Sequence, residues 1–455
     1  MASEWARCQI GDVVVTNPDA YTIKENWSYV EYLDTGNITR GVISEIQKIN
    51  RGEPLPSRAR RKVDPQDIVY SSVRPINRHY GLIANPLPLM LVSTGFVVVR
   101  AKREKADPRF LYYVLTQDSV VNILQVIGEH STSAYPAIKP GDIESLPCRL
   151  PPLPEQKAIA HVLGSLDDKI EANRQMNATL EAMAQSLFKS WFVDFDPVIN
   201  NALAAGNPIP DELLSHAEAR EALGDAHKFL PDNIQKLFPA TFTHTVDLGW
   251  IPDGWGTQPL YDIAAFINGA AYKSFHFTEE AGALPVVKIA EIKGGVTSQT
   301  KFTKTVLAEK YRIDDGDILF SWSGNPDTSI DTFVWTCGPG WLNQHIFRVA
   351  LKAEEDRNFV YYQLKLLRPV FAEIARDKQT TGLGHVTAQD MKRLHVIHAP
   401  DSIRRAFNNL VSPLFDRWYA NLVHSRDLAK TRDTLLPKLL SGELRLPLDE
   451  LEVTV

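Results

Sequence analysis

The feature that most constrains the fold of this chain is an internal repeat, in which the first half recurs about 250 residues further on. Residues 67–71 (DIVYS) recur as residues 317–321 (DILFS), and residues 109–113 (RFLYY) recur as residues 358–362 (NFVYY). The displacement changes only from 250 to 249 between these matches. Because chance similarity does not stay in register over such a distance, the repeat indicates two copies of one structural unit.

Short β-rich runs bounded by turn residues predict strands at matching places in the two copies. The predicted strands span residues 12–16, 67–72 and 96–100 in the first copy and 262–266, 317–321 and 346–351 in the second. An amphipathic stretch over 110–127, repeated over 359–375, predicts a helix beside each sheet. Since these apolar positions are those of a core, they define the fold and not the function.

A heptad pattern follows each copy, with steps of four and three that are typical of one seam of a coiled coil. The seam residues are Ile159, Leu163, Leu166, Ile170, Asn173, Asn177, Leu180, Ala184, Leu187 and Trp191 in the first helix, and Phe407, Val411, Leu414, Trp418, Asn421, Ser425, Leu428, Arg432, Leu435 and Leu439 in the second. Pro154 suits the first turn, Pro197 ends the first run, and Gly442 is a natural C-terminal stop. Pro437 is expected to kink or end the second helix early, which makes the Leu439 layer doubtful.

The polar seam residues constrain how the two helices pair. An antiparallel pairing matches Asn173 with Ser425 and Asn177 with Asn421, and a buried polar layer of this kind fixes register at a cost in stability. A parallel pairing also matches asparagine with asparagine, but the sizes of the flanking residues, such as Trp418 opposite Leu180, favour the antiparallel one. The alternative is that each helix packs on its own domain.

Length, charge and cysteines narrow the class of protein. A chain of 455 residues is too long for one hydrophobic core, so two or more domains are expected. The net charge of −6 argues weakly against nucleic-acid binding, so the local charge distribution has to decide. Cys8, Cys148 and Cys337 are expected to be free thiols. An acidic start and the lack of any long apolar run predict a cytoplasmic protein.

Three parts of the chain carry motifs that resemble one family. They are residues 150–157 (LPPLPEQK) leading through 166–170 (LDDKI) to 191–197 (WFVDFDP), residues 248–255 (LGWIPDGW), and residues 434–444 (TLLPKLLSGEL). At these places in a duplicated chain, they resemble the central region, the entry to the second domain and the C-terminus of the specificity subunits of type I restriction-modification systems. One departure is that Pro400-Asp401-Ser402 stands where a second Pro-Glu-Gln helix start would be.

The resemblance implies an α+β protein in which two repeated α/β target recognition domains are separated by two long coiled-coil helices, with antiparallel pairing favoured. The expected organisation is a first target recognition domain at 1–150, a central long helix at 151–197, a linker excursion away from DNA at 198–248, a second target recognition domain at 249–400, a C-terminal long helix at 401–444 and a tail at 445–455.

The resemblance also implies the function. Each domain would read one half of an interrupted asymmetric site on double-stranded DNA, and the helices would form a spacer and a docking platform. The partners would be two methyltransferase subunits and two restriction/translocase subunits, which use S-adenosylmethionine, ATP and Mg²⁺ to methylate adenine and cut DNA. The chain itself would bind no cofactor or metal and would have no catalytic residues.

The local chemistry supplies candidate contacts. The loop from Arg51 to Lys62 is basic and suits phosphate oxygens, although it could be a solvated surface loop. The residues after the 67–72 strand can reach base edges, and the matching loop of the second copy has different chemistry. Hydroxyl residues and lysines at matched positions can clamp the DNA backbone, with turn formation as the alternative for the hydroxyl residues. The candidate DNA-binding residues are Lys24, Arg58, Arg60, Arg61, Lys62, Arg74, Asn77, Arg78, Ser131, Thr132, Lys273, Ser274, Trp322, Ser323, Asn325, Thr380 and Thr381.

Two enzyme hypotheses fit less well. Residues 85–88 and 325–327 do not form the Asn/Asp-Pro-Pro-aromatic loop that an adenine methyltransferase needs. Asp253 followed by Glu291 and Lys293 forms a loose metal-nuclease pattern, but the first copy lacks it. A scaffold or toxin-linked binder without sequence specificity is a third class.

Overall fold

The computed structural model describes residues 5–22, 25–130, 136–222, 230–379 and 383–447. The strands of the first domain are β1 (Ala6–Gln9), β2 (Val14–Thr16), β3 (Tyr29–Leu33), β4 (Ile38–Thr39), β5 (Val42–Ile43), β6 (Gln47–Asn50), β7 (Ala59–Lys62), β8 (Asp67–Ser71), β9 (Tyr80–Ile83), β10 (Met90–Ser93), β11 (Phe96–Ala101) and β12 (Pro147–Leu150). Its helices are α1 (Ile10–Val13), α2 (Pro108–Thr116), α3 (Asp118–Glu129) and α4 (Pro140–Glu144).

A long helix, α5 (Leu153–Phe192), follows the first domain, and the connecting segment then forms α6 (Asp196–Ala205), α7 (Leu214–Ala222) and α8 (Asp232–Gln235). The next strands are β13 (Phe242–Thr245), β14 (Gly249–Pro252), β15 (Gly256–Pro259), β16 (Ala265–Asn268), β17 (Leu284–Val287), β18 (Phe302–Thr303), β19 (Arg312–Ile313), β20 (Ile318–Ser321), β21 (Ser323–Gly324), β22 (Asp331–Val334), β23 (Gly340–Leu342), β24 (Ile346–Ala350), β25 (Gly384–His385) and β26 (His395–His398). The remaining helices are α9 (Ile289–Gly294), α10 (Arg357–Leu366), α11 (Arg368–Asp377), α12 (Ala388–Arg393) and the long α13 (Asp401–Ser441).

The main sheets of the two domains confirm the repeat. The first domain has an antiparallel sheet in the order β2-β11-β8-β9, and the second has β16-β24-β20-β22. A second sheet has the order β6-β3-β10-β7, matched by β18-β17-β23-β19, with one parallel pair in each, β3 with β10 and β17 with β23. The ribbon β1-β12 is matched by β15-β26, so the beginning and the end of each domain pair with each other.

The single helix predicted over 110–127 is wrong, because the structure divides it into α2 and α3. Asp107 caps α2 by accepting from the Phe110 amide, and Pro108 occupies its first turn. The backbone of Gln117 is extended (φ −57°, ψ 142°), which breaks the helix although the apolar periodicity continues. The second copy also divides into two helices, α10 and α11, but its break at Leu367 keeps a near-helical backbone (φ −80°, ψ 0°), so the prediction over 359–375 is corrected likewise.

The strands predicted over 12–16 and 262–266 begin later than the sequence suggested. The first is preceded by α1, in which Asp12 accepts from the Gln9 amide, and only Val14–Thr16 is extended. In the second copy a 3-10 helix, Leu260–Asp262, precedes β16. Both short helices cap the end of a sheet, and an alternating apolar pattern does not distinguish them from a strand.

The chain forms two compact units, and each contains one domain with parts of both long helices. Unit 1 comprises residues 1–171 and 426–455, and unit 2 comprises residues 172–425. In unit 1 the end of α13 packs against the beginning of α5, since Leu439 and Leu440 share a buried cluster with Trp5, Ile159 and Leu163.

Pro437 does not end the second helix early, so that part of the expectation was wrong, while the kink stays a prediction. Helix α13 continues to Ser441, and Leu439 is completely buried in the seam. Pro437 itself is exposed, and the burial of the next turn offsets its missing amide donor. The helix stops at Gly442, as predicted, with a left-handed φ of 76° and the Leu444 amide bonded to the Lys438 carbonyl.

The antiparallel pairing is confirmed by the polar layers in unit 2. The amide of Asn173 donates to the Ser425 hydroxyl at 3.1 Å. Asn421 donates to the Asn177 Oδ1 at 2.9 Å, and Asn177 donates to the Trp418 carbonyl at 3.0 Å. Asn173, Asn177 and Asn421 are all buried, so each buried amide makes a hydrogen bond in place of water.

Residues 198–248, predicted to be a linker excursion, are structured in their described part. Val198, Ile199, Leu213, Ala217 and Phe238 are buried in the same cluster as Trp255 of the second domain. The segment is therefore a packed portion of unit 2, while its distance from DNA stays a prediction.

The three cysteines are free, but two of them are close together. Cys8 and Cys148 are direct partners across the β1-β12 ribbon, with a distance of 3.4 Å between their sulfur atoms. Burial raises the pKa of the Cys148 thiol to about 12, which keeps it in the unreactive protonated form.

Among the described helices, none is by itself long and apolar enough to cross a membrane. The bent pair α2 and α3 meets the length and composition criteria only when taken together, across a bend of 64°.

Candidate nucleic-acid interface

In the first domain, three segments converge at one end of the central strand β8. The loop after β8 bonds to the β10-β11 turn, because the Ser72 amide and hydroxyl both donate to the Gly95 carbonyl at 2.7 and 2.8 Å. The Ile138 amide donates to the Ser72 carbonyl at 2.8 Å. We call the resulting surface, formed by residues 72–78, 94–95 and 136–138, the first loop edge.

The second domain builds the same arrangement at the end of β20. The Trp322 amide donates to the His345 carbonyl, and the Val386 amide donates to the Trp322 carbonyl at 2.8 Å. Residues 322–325, 344–345 and 383–386 are the second loop edge. The predicted loops after the 67–72 and 317–321 strands therefore lie at equivalent places on one scaffold.

The basic loop of the first domain reaches the first loop edge, because the Thr94 amide donates to the Arg58 carbonyl at 2.8 Å. Arg58 is exposed. Arg60 lies over the Tyr21 ring at 5.7 Å, and Lys62 is paired with Glu25 at 2.7 Å. The guanidinium of Arg61 is partly buried, and this burial lowers its pKa. Of these predicted phosphate contacts, Arg58 is the most available.

The loop from Arg74 to Arg78 is held in a strained conformation. Arg74 and Arg78 have left-handed φ values of 47° and 57°, a region that residues with a Cβ seldom adopt. The Ile76 amide donates to Gln125, and Arg78 pairs with Asp118 at 2.7 Å. These contacts leave Arg74 and Asn77 exposed, and backbone strain that the surroundings enforce is typical of binding loops.

The predicted residues of the second domain differ in their availability. Trp322 is half-buried and donates from Nε1 to Asn268 at 3.0 Å. Asn325 is exposed, but its side-chain oxygen Oδ1 accepts from the Asp327 and Thr328 amides and so stabilises a turn. Ser323 pairs with His385 between β21 and β25. Lys273 and Ser274 are exposed further along the chain that follows Asn268.

Five predicted contacts, Lys24, Ser131, Thr132, Thr380 and Thr381, lie outside the described residues. Sequence reasoning missed Gln344 and His345, which occupy the same turn as Thr94 and Gly95 of the first domain. The signal was available, because a displacement of 250 aligns glycine with histidine at this turn.

The Pro-Glu-Gln motif anchors the first domain to α5. Glu155 accepts from the Trp5 indole at 3.1 Å and from Arg445 at 2.6 Å. Gln156 is completely buried, accepts from the Asp107 amide at 2.9 Å and donates to two backbone carbonyls. These hydrogen bonds satisfy every polar atom of the Gln156 side chain.

The second copy replaces this anchor with an ion pair. Arg404 stands where Gln156 stands in the first copy, and it bonds to Asp356, the counterpart of Asp107. Asp401, where the motif departs, accepts from the same guanidinium. The second copy therefore departs from the motif in sequence, but it keeps a polar junction between domain and helix that different side chains form.

The nuclease hypothesis gains no support from the described residues. Glu291 is buried, accepts from the Lys288 amide and binds the Thr300 hydroxyl at 3.1 Å, which is a structural role. Within the described ranges, no three His, Cys, Asp or Glu side chains are grouped as metal ligands.

Known proteins share this organisation. A family model described as the type I restriction modification DNA specificity domain matches residues 2–182 and 252–402. The HindI specificity subunit of Haemophilus influenzae is 27% identical over 97% of this chain and 100% of its own length. The putative MjaX specificity subunit of Methanocaldococcus jannaschii is 32% identical over 97% and 94%.

Among solved structures, the type I restriction-modification S subunit from M. genitalium matches with a TM-score of 0.47 and 15% identity over 96% of both chains. The HsdS subunit from Thermoanaerobacter tengcongensis matches with a TM-score of 0.37 and 20% identity over 98% of both. The family model covers both repeated domains and most of α5. The chain thus belongs to the specificity subunits of type I restriction-modification systems, which are the DNA-recognition subunits and not the catalytic ones.

Proposed function

We propose that the chain recognises an interrupted, asymmetric site on double-stranded DNA, with the first domain reading one half and the second domain the other. Bound to this site, it directs adenine methylation and DNA cleavage by two methyltransferase and two restriction/translocase subunits. S-adenosylmethionine, ATP and Mg²⁺ act in those partners, and the chain binds none of them itself.

The observation that carries this proposal is the pair of loop edges. Ser72 and Trp322 hold the same place in the backbone hydrogen bonding, yet the chemistry around them differs. The first edge presents Arg74 and Asn77, with Arg58 bonded to it through the Thr94 amide, and the second presents Trp322 and Gln344. Different side chains on one scaffold are what two different half-sites require, because base edges are distinguished by their donor and acceptor patterns.

The exposed face of α5 supports the role of a docking platform. Met176 is 41% exposed and Met183 is 50% exposed on a helix whose other face forms the seam. Unbranched methionine side chains adapt to a partner surface. Changing Met183 to Glu is expected to weaken binding of the methyltransferase subunit in a pull-down, while leaving the thermal unfolding of the isolated chain unchanged.

The function is tested by expressing the chain with its methyltransferase partner in a host without other adenine methylation, and sequencing the methylated positions. We expect one split motif with two different halves. Methylation at a continuous or palindromic motif would contradict the proposal.

A second experiment separates this function from an enzymatic one. The purified chain alone, given S-adenosylmethionine or Mg²⁺, should neither methylate nor cut DNA. Adding the methyltransferase subunit should produce adenine methylation. Methyl transfer by the isolated chain would refute the assignment of catalysis to the partners.

A further inference from the structure

On the basis of the proposed function, we infer that Gln344 reads an adenine of the second half-site, and that His345 and Trp322 hold it in position. None of the sequence motifs pointed to Gln344. The inference depends on the geometry of the β23-β24 turn and on what the first domain has at the same place.

The three side chains form a connected cluster on the second loop edge. Gln344 Nε2 lies 3.1 Å from His345 Nε2. The His345 ring packs against the Trp322 ring with centroids 5.5 Å apart, and Trp322 is fixed by its bond to Asn268 and by the Phe347 ring at 6.0 Å. Gln344 is exposed, whereas His345 and Trp322 are half-buried. The exposed amide is therefore held by two side chains behind it.

The scaffold itself does not require this cluster. The first domain closes the same turn with Thr94 and Gly95, using the bond from the Ser72 hydroxyl to the Gly95 carbonyl. A side chain at Gly95 would not fit, since a Cβ there would lie 2.8 Å from Thr35 Cγ2. The second domain carries Ile289 where the strand order places Thr35, and it accommodates the imidazole.

The cluster also leaves polar groups that its own contacts do not satisfy. Nδ1 of His345 is buried and has no hydrogen-bond partner among the described residues. When Gln344 donates to Nε2, the imidazole proton is on Nδ1, and Gln344 keeps its carbonyl oxygen and one N–H. A free amide acceptor and donor on one side chain match the N6 and N7 groups of adenine in the major groove. A buried nitrogen without a partner costs stability. It therefore indicates that the role of the ring is to position Gln344 and not to stabilise the turn.

The experiment uses the complex of the full chain with its methyltransferase subunit. Affinity is measured for duplexes in which each base pair of the recognised site is changed in turn. In the wild type, the required A·T pair of the second half-site should be preferred by roughly tenfold or more. Gln344→Ala should abolish the preference at that single position and leave the first half-site unchanged, whereas Gln299→Ala, an exposed glutamine of the same domain, should change nothing.

Two further variants guard against a trivial loss of folding. Gln344→Glu should move the preference at the same position towards cytosine, whose N4 amino group donates to a carboxylate. His345→Ala should weaken discrimination at that same position, as expected of a positioning residue. Unchanged discrimination in Gln344→Ala, or a uniform loss of affinity with all preferences intact, would overturn the inference. Absence of any sequence preference in the wild type would instead contradict the proposed function.

Discussion

The two recognition domains have equivalent sheets, but different side chains stabilise their matched turns. In the first domain, buried Asp67 forms a two-pronged bond with Arg100 at 2.7 and 2.9 Å. The strand register places Ala350 where Arg100 would be, so Asp317 keeps only the turn bond from the Asp314 amide at 2.8 Å. The turn carboxylate is therefore common to both copies, whereas a cation hydrogen-bonded to it is found in the first copy and Asp317 has the weaker electrostatic attraction of Arg348.

The loop edges differ in the same way. The cationic Arg58, Arg60, Arg61 and Lys62 of β7 and its approach correspond in strand register to Ala308, Lys310, Tyr311 and Arg312. The approach to the first edge therefore carries four cationic residues where the matched segment of the second domain has two, Lys310 and Arg312. Basic charge concentrated locally in this way is compatible with DNA binding by a chain of negative net charge.

The largest expected effect comes from exchanging a whole domain. Replacing residues 1–150 with the first domain of a relative should change one half of the methylated motif completely and leave the other half unchanged, because each loop edge is built within its own domain. Methylome sequencing measures this result. Altered bases in both halves would break the one-domain, one-half assignment.

Asp67 and Asp317, the matched carboxylates of the two domains, should differ in their contribution to the free energy of unfolding. Asp67→Asn is expected to lower the free energy of unfolding by about 2 kcal/mol, since it removes the charge-assisted bonds of a buried carboxylate, while Arg100 keeps its ion pairs to Asp64 and Asp19. Asp317→Asn should cost less than about 1 kcal/mol. Denaturant titration of the two variants measures the difference, and equal losses would show that Arg100 does not distinguish the copies.

The pH dependence of stability tests the role of Asp317 further. Burial raises the pKa of the Asp317 carboxyl above its ordinary value. The folded protein therefore favours the protonated form, and stability is lost as the pH rises through the raised pKa. Asp317→Asn removes this titration, so the difference in stability between variant and wild type should shift in favour of the variant as the pH rises from acidic to neutral, as thermal unfolding at several pH values would show.

A smaller effect is expected where each domain touches its helix. Arg109 packs on Gly164 and pairs with Asp168, and a Cβ at Gly164 would lie 2.5 Å from the guanidinium carbon. In the second copy, Asn358 donates to the Ser412 hydroxyl at the matched positions. Gly164→Ser should cost about 1 kcal/mol, and Arg109→Asn, which loses the Asp168 pair, should cost less in the Gly164→Ser background than in the wild type, because it relieves the clash and allows the Asn–Ser bond of the second copy. Additive losses in this double-mutant cycle would contradict the equivalence.

The smallest effect concerns phosphate contacts. Arg58→Ala should weaken DNA binding uniformly over all sequences and reduce the slope of log affinity against log salt by about one. Ala308→Arg, at the matched position of the second domain, should raise that slope by a similar amount. A change in base preference in either variant would show that the position reads sequence.

Sequence alone predicted the duplication and the antiparallel seam, because the repeat and the heptad spacing of apolar residues are both visible in the order of residues along the chain. The break at Gln117 escaped prediction, since apolar residues continue across it and only the backbone angle changes. Pro437 was misjudged because the burial of Leu439 and Leu440 by Trp5 depends on residues far away in the chain. Gln344 was missed for a similar reason, since Trp322 and Asn268, which support its partner His345, come from distant parts of the chain.

The seam between the long helices has a symmetry of its own. Asn173 meets Ser425, and Asn177 meets Asn421. Shifted back by the 248 residues that relate the two helices, Ser425 falls on Asn177 and Asn421 falls on Asn173. The order of the polar residues in the seam is therefore symmetric under the repeat. Two identical half-length chains would pair in the same way, with asparagine against asparagine. A pair of identical half-length chains would carry two identical edges, whereas one polypeptide with two copies can carry two different ones.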